Sequence, residues 1–401
     1  MERLYSQRGQ RLKRSELAEI FKLAENPDVI SFAGGFPDPD WFLDEIAEIG
    51  AKVLCDRKGE ALQYGPVPGL TEMRTFLAAR SRKRNMAIDV PNIILTNGSL
   101  QGLDLLCRLF LEPNDTVLVE TPTYVGAIQT FENNEAEVIH APCDEEGLKI
   151  EALGALLDQL KATNRLPKFI YLIPTFQNPS GRVLGLERRK KLLELVSAYQ
   201  IPILEDDAYG ELRFEGTEIP TLKSLDQEEI VIYLGTFSKI FCPGIRLGWV
   251  AASEGIIEKL ILLKQAIDQM SSPLAQILAL ECGKEGLIER QIQITSQGLQ
   301  RKRDLALAAL EKYFPSTTSW IKSEGGFHTW VTLPEEIDTL EMLPKIVRTA
   351  KVAYVAGPSF FADRSGKNCF RLCYSPPKED VIVEGIRRLA EMFFNSVHVQ
   401  S

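Results

Sequence analysis

Histidine is scarce in this chain: His140, His328 and His398 are its only three in 401 residues. Seven cysteines, at positions 55, 107, 143, 242, 282, 369 and 373, form no CxxC pair. A zinc centre therefore lacks ligands at a usable spacing, and the odd, scattered set reads as buried reduced thiols rather than as a disulfide framework. No apolar run approaches the length of a membrane span, and Met1 to Gln10 has no apolar leader core, so no membrane partner is expected and the cytoplasm is the expected location. Positive charge is not in excess either. With 46 Lys and Arg against 55 Asp and Glu, the net charge is −9 and the pI near 5.2, which argues against tracking a nucleic-acid backbone. An anionic substrate must be drawn in by local arginines. No G-x-G-x-x-G turn is present, which argues against a dinucleotide-binding dehydrogenase.

What remains is ordinary globular composition, 45% hydrophobic and 25% charged, at a length that predicts a large domain and a smaller one. The chain is organised around Ile230 to Ala252. The apolar, β-branched run Ile230 to Leu234 predicts a buried strand that breaks at Gly235 and delivers Lys239 to a sheet end. Pro243 and Gly244 turn the chain, and Arg246 opens a second apolar run. A lysine can lose its proton and form an imine; an arginine stays charged and grips phosphate with a planar fork. Thr236 and Ser238 add hydroxyl donors. Together they suit a ligand with an aldehyde and a phosphate, as pyridoxal 5'-phosphate (PLP) has.

Other stretches add to this. Ser31-Phe-Ala-Gly-Gly35 is a loop whose paired glycines allow close backbone approach to a ligand, and Gln63-Tyr64-Gly-Pro presents one phenol from a turn. After Ile93-Ile-Leu-Thr, the segment Asn97-Gly98-Ser99 opens a helix with Ser99 as expected N-cap, a terminus whose free amides suit an anion. Tyr124 is either a core aromatic or a ring on which a ligand stacks. Asn178 before Pro179 is either a turn former or an amide aimed at a ligand. Glu205-Asp206-Asp207-Ala-Tyr209 follows the apolar strand Ile201 to Leu204; a carboxylate there can keep a ring nitrogen protonated, with Asp206 and Asp207 as rivals. Strands alternating with helices from 93 to 252 predict a mainly parallel sheet with its ligand at the strand ends. Near the C-terminus, Asn368 to Tyr374 predicts an alternating strand that carries Arg371.

Thr236-Phe-Ser-Lys239 followed by Gly244-Ile-Arg246-Leu-Gly-Trp249 resembles the lysine motif of class I/II aminotransferases of fold type I, closest to the branch of 2-aminoadipate and kynurenine aminotransferases. Further motifs match in order, so the resemblance covers nearly the whole chain. It implies an α/β fold with a large PLP domain built on a seven-stranded, mainly parallel sheet (46–285) and a smaller α+β domain (286–401) joined by residues 1–45. It also implies roles: Lys239 carries PLP; Gly98, Ser99, Thr236, Ser238 and Arg246 cradle its phosphate; Tyr124 stacks on the ring. Asp206 faces the ring nitrogen, and Asn178 and Tyr209 reach O3'. Arg371 binds the substrate carboxylate with Gly35 and Asn178 nearby, and Tyr64 crosses to the other site of a homodimer. Arg14 is placed near the mouth. Where many relatives have glutamine after the serine, this chain has Leu100.

The implied activity moves the amino group of an L-amino acid of the 2-aminoadipate, aromatic or branched-chain type to a 2-oxo acid such as 2-oxoglutarate, in two half-reactions. Two other readings compete: another PLP reaction (a lyase or decarboxylase) on the same fold, and a ligand-sensing module of the kind some transcription regulators carry.

Overall fold

The structure is a computed structural model describing residues 2–12, 26 and 28–395. Arg14 lies outside the described residues. Seven apolar runs form one sheet: β1 Ile93–Thr96, β2 Thr116–Val119, β3 Glu137–His140, β4 Ile170–Leu172, β5 Ile203–Asp206, β6 Val231–Thr236 and β7 Gly248–Ala251. Their spatial order is β1-β7-β6-β5-β4-β2-β3. Only β7 runs antiparallel to its neighbours, β1 and β6. The remaining pairs are parallel.

Six of these strands are buried on both faces, β3 being the exception at the edge, as expected for a sheet covered by helices. Each fully buried Val, Ile or Leu contributes roughly 1.5–3 kcal/mol, so the sheet is the stable frame on which the strand ends are fixed. The parallel strands must end together at one edge. Their C-terminal ends lead into the segments carrying Tyr124, Asn178, Asp206 and Lys239.

A second unit follows. Ser319–Trp320, His328–Thr332, Cys369–Cys373 and Val355–Ala356 make a four-stranded antiparallel sheet, and Ile30–Ser31 pairs with Val352–Ala353, so a segment from near the N-terminus is stitched to this unit. The helix Leu287–Tyr313 packs along Glu379–Asn395. The strand expected to alternate at Arg371 is instead buried throughout, because Phe370 packs on Phe393 of the last helix while Arg371 on the opposite face is covered by the site.

Arg189 is wholly buried and donates to four oxygens: Leu184 O at 2.8 Å, Pro220 O at 2.8 Å, Pro174 O at 2.9 Å and Thr175 Oγ1 at 2.8 Å. It fixes the start of the loop that carries Asn178. Among the described residues no helix is long and apolar enough to cross a membrane.

Candidate active site

The end of β5 settles which acid points where. Side chains alternate along a strand, so Glu205 and Asp207 share one face and Asp206 takes the other. Glu205 accepts from the amides of Leu222 and Lys223, both at 2.8 Å. Asp207 pairs with Arg84 at 2.8 Å and accepts from the Tyr233 hydroxyl at 2.9 Å. Both are structural. Asp206 accepts from the Tyr171 hydroxyl at 2.8 Å through Oδ2, while its buried Oδ1 has no partner among the described residues. Burial raises its pKa to about 6, against the pull of the Tyr171 hydrogen bond. A buried carboxylate oxygen without a donor calls for a cationic N–H, which a protonated ring nitrogen would provide.

β6 delivers the lysine. The Thr236 hydroxyl accepts from the Ser238 amide at 3.1 Å and donates to Ser238 Oγ at 3.0 Å, tightening the turn into Lys239. The Lys239 ammonium donates to Gly35 O at 2.8 Å. Burial, then the nearby cations Arg371 and Arg246, lower its pKa to about 8, against the opposing influence of Cys373 and Asp206. An amine so placed is partly neutral near physiological pH, as a nucleophile and proton carrier requires.

The anion cradle differs from expectation in one respect. Gly98, not Ser99, is the N-cap of Ser99–Phe110, with φ of 86°. The close approach of strand β7 explains this: a Cβ at position 98 would lie 2.5 Å from Arg246 Nη2, and one at Gly248 would lie 2.7 Å from Ser99 N. Only glycine fits, and Ser99 becomes the first helical residue with no capping role. Arg246 reaches Ser238 Oγ and Asn97 O, each at 3.4 Å. Thr236, Ser238, Arg246, Gly98 and Ser99 thus meet at one helix terminus. Leu100 points away, 42% exposed.

On the other side, Arg371 donates to Asn178 Oδ1 at 2.8 Å and to Ala33 O at 2.6 Å, and its buried Nε has no partner among the described residues. Asn178 Nδ2 in turn donates to Tyr209 Oη at 3.4 Å. Tyr124 precedes the helix Val125–Asn133 and is near enough to Asp206, Arg371 and Arg246 for all three to influence its hydroxyl. Gly35 lies over the lysine. Tyr64 is not brought into this site: it is 77% exposed on the surface.

Three sets of residues were not singled out from sequence. His328 lies 3.3 Å from Tyr209 Oη through Nε2. Tyr171 holds Asp206. Behind the cradle, Asp268 accepts from Asn97 at 2.6 Å and Gln101 at 2.5 Å and pairs with the fully buried Lys264 at 2.8 Å. A Tyr alternating within a buried strand was the only signal for Tyr171; the others had none.

The sequence profile described as "Aminotransferase class I and II" matches residues 27–389. Aromatic-amino-acid aminotransferase 1 of Thermococcus litoralis is 43% identical over 97% of this chain and 94% of its own length. The 2-aminoadipate transaminase of Thermus thermophilus is 36% identical over 94% of each. A Pyrococcus horikoshii kynurenine aminotransferase, solved with PMP, superimposes with a TM-score of 0.95 at 42% identity, covering 99% of this chain and 98% of that one. The chain belongs to the class I and II aminotransferases, with the fold type I architecture. It is a PLP-dependent enzyme that moves an amino group from an amino acid to a 2-oxo acid.

Proposed function

We propose that this enzyme transaminates L-amino acids of the aromatic, 2-aminoadipate or branched-chain type, with aromatic donors first, and that the residues assembled above divide the work. The observation that carries this is the convergence of Lys239, the unpartnered Asp206 Oδ1 and Arg371 around one space at the strand ends. The bound cofactor supplies an aldehyde for the amino group and an electron-withdrawing ring. Thr236, Ser238, Arg246, Gly98 and Ser99 hold its phosphate; Tyr124 lies against the ring; Asp206 keeps the ring nitrogen protonated; Asn178 and Tyr209 bind the phenolic oxygen. Arg371 grips the substrate α-carboxylate as a fork, with Gly35 above it, and the neutral form of Lys239 carries the proton between carbon atoms. Aromatic donors come first because the 43% identical relative is an aromatic-amino-acid aminotransferase; the Phe360 ring, 5.2 Å from the Arg371 guanidinium, helps hold that fork in place.

The same proposal includes a homodimer: the exposed Tyr64 phenol, beside the exposed Leu62, supports a role at the cofactor phosphate of a partner subunit. The same reading keeps the division into 46–285 and 286–401 with 1–45 attached to the smaller unit, places Arg14 at the mouth, and puts the enzyme in the cytoplasm. A panel of amino donors with 2-oxoglutarate tests the substrate class: the highest kcat/KM is expected for phenylalanine, tyrosine or kynurenine. Turnover confined to aspartate would overturn it. Lys239→Ala should abolish turnover together with borohydride-fixed cofactor; an active variant would overturn the residue assignment.

A further inference from the structure

His328 opens the strand His328–Thr332 opposite Cys373 and is 1% exposed. Its ring stands edge-on to Tyr209, with centroids 5.5 Å apart, and lies under the Gly35 loop, where a Cβ on Gly35 would come within 3.4 Å of Cε1. Nε2 is 3.3 Å from Tyr209 Oη; Nδ1 is buried with no partner among the described residues.

The proton positions follow from a donor that has no choice. Arg371 can only donate, so the Asn178 atom 2.8 Å from it is the carbonyl oxygen, and the amide nitrogen must be the atom facing Tyr209. That nitrogen donates to Tyr209 Oη, leaving the phenol's own proton to be placed. Among the described residues its remaining hydrogen-bond neighbour is His328 Nε2 at 3.3 Å, which can take that proton only when the ring is Nδ1–H. The imidazole is neutral, because burial and then the cations Arg371 and Lys239 disfavour its charged form; Tyr209 and Cys373 are its other titratable neighbours. A neutral ring accepting at Nε2 carries its proton on Nδ1, the nitrogen left without a partner.

We propose that His328 is a tautomeric counterweight to Tyr209, Nδ1–H while it accepts the phenol proton and Nε2–H once that phenol turns to donate to an oxygen anion in the site. This rests on the reading that Tyr209 faces the cofactor's phenolic oxygen. The change is neutral overall: water takes the proton from Nδ1 and supplies one to Nε2, exchanging during transient opening of the site, and Tyr209 then accepts two hydrogen bonds and donates one. His328 is on this view a positioning residue that acts through Tyr209.

Full-length enzyme with ring-15N histidine distinguishes the two tautomers by the nitrogen shifts, with His328 assigned by its loss in His328→Gln. The cofactor-free protein should show Nδ1–H, unchanged by inorganic phosphate, and the PLP-loaded protein Nε2–H. Tyr209→Phe should abolish the change while PLP still binds. In His328→Phe, the PLP dissociation constant should rise about fivefold, as for one lost neutral hydrogen bond. The same tautomer in both states, with PLP demonstrably fixed on Lys239 by borohydride, overturns the inference alone. Failure to fix PLP on Lys239 overturns the functional reading, and the inference with it.

Discussion

Arg371 shows how one residue type can be irreplaceable at fixed charge. Its fork spans Asn178 and Ala33 while Nε stays open, and lysine offers a point charge in its place. Arg371→Lys should lower kcat/KM about 100-fold, near 3 kcal/mol, mostly through KM for the amino acid, read by steady-state kinetics. Lys239 makes a second prediction, on stability. Its folded pKa of about 8 lies below the ordinary 10.5, so the fold prefers the neutral amine; that preference stabilises fully above pH 10.5 and is lost as pH falls through 8. At pH 7 the cofactor-free Lys239→Met protein should therefore be about 1–2 kcal/mol more stable than the parent, with the advantage shrinking towards pH 10 in denaturant titrations. An advantage that grows with pH would contradict the burial of this amine.

At the scale of elements, the strand and loop elements were largely legible. Apolar runs bounded by Gly and Pro marked the strands, and a lysine, an acid and an asparagine directly after such runs can only sit at strand ends. What sequence did not show were partners distant along the chain. Asp206 and Asp207 are indistinguishable as letters; strand alternation and Arg84 separate them in space. Ser99 looked like a cap because serine caps helices, but the capping position has a φ of 86° and the Arg246 guanidinium, from the turn before β7, occupies the space a Cβ there would need. Gly98→Ala, which adds a left-handed φ strain to that clash, should weaken phosphate and PLP binding at least tenfold in calorimetric titrations. Behind it, Asp268→Ala leaves Lys264 charged and enclosed without its carboxylate, and should cost about 3 kcal/mol of stability with a matching fall in PLP affinity.

For the molecule as a whole, the resemblance reached across both units, yet no pattern in one chain could show whether, or over which surface, a second copy docks. Tyr64 carries the test. Neither Lys239→Ala nor Tyr64→Ala homodimers should turn over well. Mixed dimers formed by co-refolding should recover up to about a quarter of parental activity, because one site in a hybrid escapes both changes. No recovery, with sedimentation showing hybrids present, would mean that each subunit keeps its own Tyr64.

The guanidinium of Arg189, enclosed by Leu184, Pro174, Thr175 and Pro220 oxygens, has one further consequence. Those four acceptors replace its hydration shell, so the neighbouring segment has no solvated alternative to relax into. Amide exchange around Asn178 should accordingly be as slow before loading as after, and catalysis would begin from a scaffold whose geometry was already set during folding.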